Sequence, residues 1–153
     1  RSNDLVWGAL GANVVQFGTI LQFVAEATNL QVGWYRQTSN NLHYYTELYA
    51  KDYLDNPGDG KTHDYYTNEG IEPVSLLAGV DHVEFLAEVE RFCDDPFNPD
   101  THYASDFLRH TAVPAALAWK ARKEGKEYRS HLSAVEAGDW RIAMQEWCNR
   151  REK

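Results

Sequence analysis

The chain has 153 residues, of which 43% are hydrophobic and 25% charged, and its formal net charge is −8. This length suffices for one domain with a hydrophobic core. The negative charge disfavours binding of a DNA or RNA polymer, although a local cation can still hold one nucleotide phosphate. The sequence offers no 18-residue apolar run and no signal peptide, so neither membrane insertion nor secretion is expected. Cys93 and Cys148 form neither a disulfide framework nor a zinc-binding spacing, which suits a reducing, cytoplasmic environment.

The first third of the chain predicts a strand, a turn, a helix and a second strand. Residues Arg1 to Val6 are expected to be the end of a strand, and Gly8 and Gly11 supply a flexible turn that lets backbone approach a ligand. From Val14 to Thr28, apolar residues recur every three or four positions, which predicts an amphipathic helix. These residues are Val14, Phe17, Ile20, Leu21, Val24 and Ala25.

Asn13 immediately precedes this helix and has two interpretations. Asparagine is among the residues preferred at a helix N-cap, a role that needs no ligand. Its side chain also carries an acceptor and two donors on one planar group, which could pair with the O4/N3 edge of a uracil ring. The position alone favours the cap, whereas the polar groups before and after the helix favour the ligand.

Two further polar groups flank the helix. Arg1 presents a rigid fork of donors that matches phosphate oxygens, and the hydroxyl of Ser2 can add a hydrogen bond, so the pair predicts a phosphate clamp. Downstream, His43 and Tyr45 stand two residues apart in a segment expected to be extended. They would therefore face one ligand, such as a sugar hydroxyl, while Tyr44 faces away. The preceding strand is predicted from alternation of Val32, Trp34, Arg36 and Thr38 with Tyr35 and Gln37.

The middle of the chain carries turn signals and no clear site. Residues 56–60 form a turn cluster, and residues 64–73 are polar and aromatic without a clean period. Gly60-Lys61-Thr62 imitates the end of a phosphate-binding P-loop, but the first glycine of that motif would fall at Asp55. We therefore expect no nucleoside triphosphate site in this loop.

The second half is predicted to be helical. A helix over Asp81 to Phe92 would turn Val83, Leu86 and Val89 toward the core, with Phe85 and Phe92 beside them, and its acidic side toward solvent. A second helix begins near Tyr103, with Pro114 kinking it or starting a new helix and Gly125 closing it. The remaining predicted elements are a short helix ending at Gly138, an N-cap at Asp139, and a last helix with Trp140, Ala143, Met144 and Trp147 on one face. These aromatic residues are expected in the core rather than on a stacking surface.

Metal binding is not expected. The histidines outside the first third show no pair at metal-ligand spacing, and no cysteine or carboxylate completes a set. They are His63, His82, His102, His110 and His131.

The pattern of the first 50 residues resembles a known family. Arg1-Ser2-x-Asp4-x-x-x-Gly8, then Asn13 opening an apolar helix, then Gly33 and His43-x-Tyr45, looks like the nucleotide-binding half of thymidylate synthase and of the related phage deoxynucleotide hydroxymethylases. Two stretches depart from the family pattern. Residues 9–13 are one residue longer and lack a proline, and Ser39-Asn40-Asn41 replaces a Gly-Gly-Asp run.

The resemblance implies a role for each candidate residue. Arg1 and Ser2 would bind the nucleotide phosphate, Asn13 the pyrimidine edge, and His43 with Tyr45 the deoxyribose 3′ hydroxyl. Two further residues would line the site for 5,10-methylenetetrahydrofolate, namely Asp4 and Gly8. The ligand would be a pyrimidine deoxynucleoside monophosphate, with dUMP favoured because the resembling cytosine-specific enzymes carry an Asp at the position of Asn13.

The implied fold is α+β, with a thymidylate-synthase-like strand-helix-strand half followed by a mostly helical C-terminal part. Residues 1–55 would form the nucleotide-binding portion, 56–80 an irregular connection, and 81–153 the helical portion of the same domain. The resembling enzymes are dimers, so we expect a homodimer or pairing with a missing N-terminal portion. The resemblance to phage enzymes also admits a phage origin, with the protein acting in the host cytoplasm.

The reaction of this family needs a thiolate that adds to C6 of the pyrimidine. In the family this cysteine lies upstream of the Arg-Ser pair, so we expect the chain as given to lack it. Cys93 lies in an acidic run that would raise a thiol pKa, and Cys148 has the context of a buried apolar residue. Two hypotheses follow: a C5 methyl- or hydroxymethyltransferase whose nucleophile is supplied by sequence missing here, or a non-catalytic nucleotide-binding module. Residues 146–153 do not resemble the closing segment of the methylating enzymes, which favours hydroxymethylation.

Overall fold

The computed structural model describes residues 3–49, 70–98 and 100–149. The chain divides into two compact units, Arg1–His63 and Asp64–Lys153. Within the described residues most of the chain is helical, and the sheet consists of two short strands. This is compatible with the predicted α+β class, whereas the finer division into 1–55, 56–80 and 81–153 stays a prediction.

The first unit is built around one long helical stretch. Strand β1 (Asn3–Asp4) leads into a π-helical segment (Leu5–Ala12), which continues directly into helix α1 (Asn13–Ala27). Strand β2 (Leu42–His43) and the one-turn helix α2 (Thr46–Tyr49) follow. The predicted strand through Val6 is therefore wrong beyond Asp4, because the chain is already helical at Leu5.

The predicted flexible turn at Gly8 and Gly11 is a kinked helical segment instead. Gly11 has φ −115° and ψ −117°, outside the helical range. A Cβ atom there would lie 2.7 Å from the carbonyl oxygen of Val6, so only glycine allows this approach.

The N-cap prediction for Asn13 is wrong. Ala12 is already in the helical region, at φ −55° and ψ −39°, and no side chain caps the start of α1. An N-cap residue has a non-helical backbone conformation, whereas Asn13 is already the first residue of α1 and follows a helical residue.

The predicted helix from Val14 to Thr28 is confirmed, and its end has a clear local cause. Asn29 takes the left-handed conformation at φ 54°. The N–H of Leu30 donates to the carbonyl of Ala25 at 2.8 Å, and that of Asn29 donates to the carbonyl of Glu26 at 3.1 Å. This is the hydrogen-bond pattern of a Schellman motif, in which asparagine is a common substitute for glycine.

The stretch Gly8–Ala27 corrects the expectation that no long apolar run exists. It is 20 residues long and, by length and composition only, could cross a membrane. Core helices of soluble proteins and signal sequences have the same length and composition, so the stretch alone assigns no membrane location. Several of its apolar side chains are exposed, including Val15, Phe17 and Ile20 at 51–61%.

The strand predicted over residues 32–38 is wrong. Residues 30–39 have no regular secondary structure, and Trp34 is 98% exposed. Alternation produces a strand only where a neighbouring strand supplies hydrogen bonds. Among the described residues, the ladder joins only Asn3–Asp4 to Leu42–His43.

The described residues of the second unit form four α-helices and a π-helical segment. Its elements are α3 (His82–Asp94), a π-helical segment (Leu108–Ala112), α4 (Val113–Lys123), α5 (Arg129–Ser133) and α6 (Gly138–Asn149). The core between α4, α5 and α6 is apolar. It contains Ala118, Ala121, Tyr128, Leu132 and Cys148, with Met144 and Trp147 packed against it.

Helix α3 forms where predicted but buries a different face. Val83 and Leu86 are 65% and 52% exposed, whereas Phe85 and Glu88 are buried. The reason is polar: the Glu88 carboxylate accepts hydrogen bonds from the N–H groups of Ala104 at 2.7 Å and Ser105 at 2.9 Å. The predicted apolar stripe is therefore wrong at Val83 and Leu86, and the predicted solvated acidic side is wrong at Glu88, whereas Glu84 and Glu90 are exposed as expected.

The Pro114 prediction is confirmed in its second form. Pro114 lies in the first turn of α4, directly after the π-helical segment. Proline cannot donate to the carbonyl four residues back, which is that of His110. That carbonyl instead accepts from the N–H of Glu136 at 2.9 Å, so the segment before α6 is tied to the π-helical segment. Gly125 closes α4 at φ +69°, as predicted.

The last two helices differ slightly from expectation. Helix α5 ends at Ser133 rather than at Gly138, and α6 begins at Gly138. Asp139 is therefore inside the first turn, where its carboxylate accepts from the N–H of Trp140 at 2.9 Å, and it is not the N-cap. Trp147 packs against the core as predicted, while Trp140 remains 39% exposed beside Phe107.

The N-cap of α3 predicts a pH dependence. The Asp81 carboxylate accepts from the N–H groups of Glu84 and Val83, and these bonds lower its pKa below the usual 3.8. A lowered folded pKa contributes stability above the unfolded pKa, and this contribution is lost as pH falls through the folded value. Urea unfolding should therefore find Asp81→Ala less stable than the parent at pH 7, with the difference shrinking toward pH 2. A difference independent of pH would contradict the cap.

Candidate functional site

The strand pair brings two candidate residues together. Asn3 lies opposite Leu42 and Asp4 opposite His43 in a parallel register. Both strands also contact the π-helical segment that holds Gly8. Asp4, proposed for the cofactor, and His43, proposed for the sugar, are thus neighbours although they are far apart in sequence.

His43 and Tyr45 also meet as the spacing predicted. Their ring centroids are 4.9 Å apart and their planes are nearly perpendicular at 87°. Edge-to-face contact is a favourable arrangement for aromatic rings and restricts the orientation of the imidazole. Tyr45 is 50% exposed and His43 is half-buried, so the pair lies at the surface of the first unit. The hydroxyl of the intervening Tyr44 is buried.

The remaining candidates lie along the helical stretch or outside the described residues. Gly8 is half-buried within the π-helical segment, and Asn13 is the half-buried first residue of α1, after that segment. Arg1 and Ser2, the predicted phosphate clamp, lie outside the described residues. So does Gly60-Lys61-Thr62, the sequence that imitates a P-loop.

The two cysteines have opposite environments. Cys148 is 2% exposed in the core of the second unit, which confirms its interpretation as a buried apolar residue. Cys93 is exposed in the last turn of α3, beside Asp94.

A polar network in the second unit has no counterpart in the sequence prediction. His110 Nδ1 lies 3.3 Å from a carboxylate oxygen of Glu136, and Arg109 Nε donates to His110 Nε2 at 2.8 Å. Arg109 also binds the carboxylate of Asp106. No local sequence pattern could predict the pairing of His110 with Glu136. The two residues meet because the N–H of Glu136 donates to the carbonyl of His110, to which Pro114 cannot donate. Within residues 3–49, 70–98 and 100–149, no group of three or more metal-ligand side chains is found.

A second feature that sequence reasoning missed combines aromatic rings with lysines. Phe97 and Trp119 lie parallel, and Lys120 and Lys123 lie over their faces. The available signal was the basic run over residues 120–129, directly after an exposed tryptophan.

Comparison with known proteins finds two phage relatives. A deoxyuridylate hydroxymethyltransferase of Pseudomonas phage M6 is 36% identical over 163 aligned positions, covering 99% of this chain and 46% of the relative. A deoxyuridylate hydroxymethyltransferase of Bacillus phage SP01 is 49% identical over 50 positions, covering 33% of this chain and 13% of the relative. The chain thus spans about half the length of the first relative. No protein-family model matches the chain. No solved structure matches it significantly.

Proposed function

We propose that this chain contributes the nucleotide-binding residues of a one-carbon transferase acting at C5 of a pyrimidine deoxynucleotide. The chain is related to the phage deoxyuridylate hydroxymethyltransferases and, through them, to the thymidylate synthase superfamily. The observation that carries the proposal is the parallel pairing of Asp4 with His43. It makes neighbours of residues that the family pattern assigns to the cofactor and to the nucleotide sugar.

His43 and Tyr45 would hold the deoxyribose. Their edge-to-face contact at 4.9 Å restricts the imidazole, while the half-exposed Tyr45 leaves the pair open to a ligand. A neutral imidazole and a phenol can each donate and accept, which suits a 3′ hydroxyl that does both. A preset ring orientation reduces the ordering that binding must impose.

Asn13, Arg1 and Ser2 would hold the remainder of dUMP. The Asn13 amide offers an acceptor for the uracil N3–H and a donor for O4. Arg1 with Ser2 would bind the phosphate dianion.

The residues present suit a reduced folate. Asp4 is half-buried, and its Oδ2 atom is withdrawn from solvent. A carboxylate in such a position suits the N–H donors of a pterin ring, and Gly8 lies on the segment next to it. When bound, 5,10-methylenetetrahydrofolate supplies the one-carbon unit. The chain's own residues bind and orient the two ligands.

The thiolate of the reaction is not assigned to this chain's cysteines. Cys148 is buried in the second-unit core, and Cys93 lies beside acidic residues. The family pattern places the nucleophile N-terminal to the Arg1-Ser2 pair. The environments of Cys93 and Cys148 support the alternative that residues 1–153 by themselves bind the nucleotide without catalysing a reaction on it. Hydroxymethylation is favoured over methylation, because both relatives carry that name.

A substitution at Asn13 that should change which base is preferred tests the proposal. Asn13→Asp should weaken dUMP binding about tenfold and strengthen dCMP binding, because a carboxylate accepts from the cytosine amino group. Isothermal titration of the purified chain with dUMP and dCMP measures both changes. Asn40→Asp, an exposed change of the same chemistry in the same unit, serves as the control and should leave both affinities unchanged.

If Asn13→Asp leaves the affinities for dUMP and dCMP unchanged, Asn13 does not bind the pyrimidine edge. Absence of binding of dUMP, dCMP and dTMP to the unaltered chain would remove the nucleotide-binding proposal as a whole.

A further inference from the structure

The second unit carries an aromatic and cationic surface that the proposed reaction does not use. The rings of Phe97 and Trp119 are parallel within 5°, with centroids 6.3 Å apart. The Lys120 ammonium lies 4.5 Å from the Phe97 centroid, and the Lys123 ammonium lies 4.8 Å from the Trp119 centroid. We call these four residues the Trp119 patch.

The patch is formed by two parts of the fold. Trp119 and Lys123 are four residues apart on α4 and share one side of the helix, with Lys120 next to them. Phe97 comes from the turn after α3. Trp119 is 44% exposed, so part of its ring is accessible from solvent.

The charge of this region is opposite to that of the chain. Residues 120–129 contain five lysines and arginines against two glutamates, in a protein with a formal net charge of −8. Among the described residues, neither Lys120 nor Lys123 forms an ion pair with a carboxylate. Lys126 does, at 2.6 Å from Glu124, and this bond lowers the pKa of Glu124.

The helix dipole explains only part of this arrangement. Cations in the last turn of a helix are stabilised by the negative end of the dipole, which accounts for lysines on α4. It does not account for two parallel rings beneath them. Lysines held over ring faces leave their ammonium groups available to an anion, because cation–π contacts at exposed sites are worth only about 0.5–1 kcal/mol.

We propose that the Trp119 patch binds a nucleoside triphosphate: the Lys120 and Lys123 ammonium groups move from the ring faces to the phosphates, and the base stacks on the face of Trp119 that Lys123 covers in this structure. Aromatic faces with neighbouring cations are the means by which proteins hold bases and phosphates without reading sequence. Two lysines one helical turn apart match a polyphosphate better than a single phosphate. The net negative charge disfavours a nucleic-acid polymer, whose phosphates would extend beyond the patch.

The site goes beyond the proposed function and is independent of it. All four residues belong to the second unit, whereas every residue proposed for dUMP belongs to the first. Either site can therefore fail without the other.

Titration of the intact chain with ATP, inorganic tripolyphosphate and adenosine tests the proposal. ATP should bind most tightly, because adenosine lacks the phosphates that contact the lysines and tripolyphosphate lacks the base that stacks on the ring. Trp119→Ala and the double change Lys120→Gln with Lys123→Gln should each weaken ATP about tenfold. Lys126→Gln removes the same charge from a lysine already paired with Glu124 and should leave ATP affinity within twofold.

Three results would overturn the site. Equal binding of tripolyphosphate and ATP would show that the rings take no part, and displacement of ATP by excess dUMP would place ATP in the proposed dUMP site. Tighter binding of an eight-residue oligothymidylate than of ATP would identify a single-stranded nucleic acid instead. Trp119→Phe, which keeps a stacking ring, should retain most of the ATP affinity and separates lost stacking from lost folding.

Discussion

Glu88→Gln is expected to destabilise the second unit by about 3 kcal/mol. The Glu88 side chain is 2% exposed, and its two oxygens accept from the N–H groups of Ala104 and Ser105 and from Arg91. Glutamine has almost the same size, but its NH₂ group would face one of these donors. A buried N–H would then lose its acceptor, and the charge on the remaining bonds would be lost.

Urea unfolding and amide hydrogen exchange measure this effect. Exchange should accelerate at Ala104 and Ser105, while the amides of α1 in the first unit keep their rates. Glu84→Gln is the matched control, because Glu84 lies on the same helix and is exposed. Equal free energies of unfolding for the two variants would show that the carboxylate of Glu88 is not what holds residues 104–105 to α3.

Arg1→Ala is expected to weaken dUMP binding between about tenfold and a hundredfold, which corresponds to the loss of one or two charge-assisted hydrogen bonds. Deoxyuridine has no phosphate, so its affinity should stay unchanged. Isothermal titration with the two ligands separates loss of the clamp from loss of the whole site.

Arg36→Ala supplies the control for general electrostatic attraction. Arg36 is an exposed arginine of the same unit and is assigned no contact with the nucleotide. Its removal should change dUMP affinity by less than twofold at 0.15 M salt, where distant charges are screened. Equal losses of dUMP and deoxyuridine affinity in Arg1→Ala would remove the phosphate clamp.

Local patterns predicted helices well and their orientation less well. The three- and four-residue spacing of apolar residues located α1 and α3, and Gly125 marked the end of α4. The same spacing failed to identify the buried face of α3. Periodicity treats every glutamate as solvent-facing. The Glu88 carboxylate is instead buried, and it accepts hydrogen bonds from two backbone N–H groups sixteen and seventeen residues away.

The start of the chain shows why local signals conflict. Asn13 satisfies the sequence rule for an N-cap, but Ala12 before it is already helical, so Asn13 lies inside the helix. The alternation at 32–38 satisfies the rule for a strand, but the described residues offer no neighbouring strand there. Both errors arise because a local rule assumes a partner or an end that only the rest of the chain can provide.

The resemblance inferred from the Arg-Ser-x-Asp, Asn13 and His-x-Tyr pattern is confirmed by the two phage relatives. That pattern, with the position of α1, follows from the sequence alone, because spacing along the chain is independent of how distant parts pack. Tertiary structure decided which candidates are neighbours: the parallel ladder pairs Asp4 with His43, and the turn after α3 brings Phe97 to Trp119. These contacts join residues more than 20 positions apart, and their formation depends on backbone pairing and core packing that no local pattern encodes.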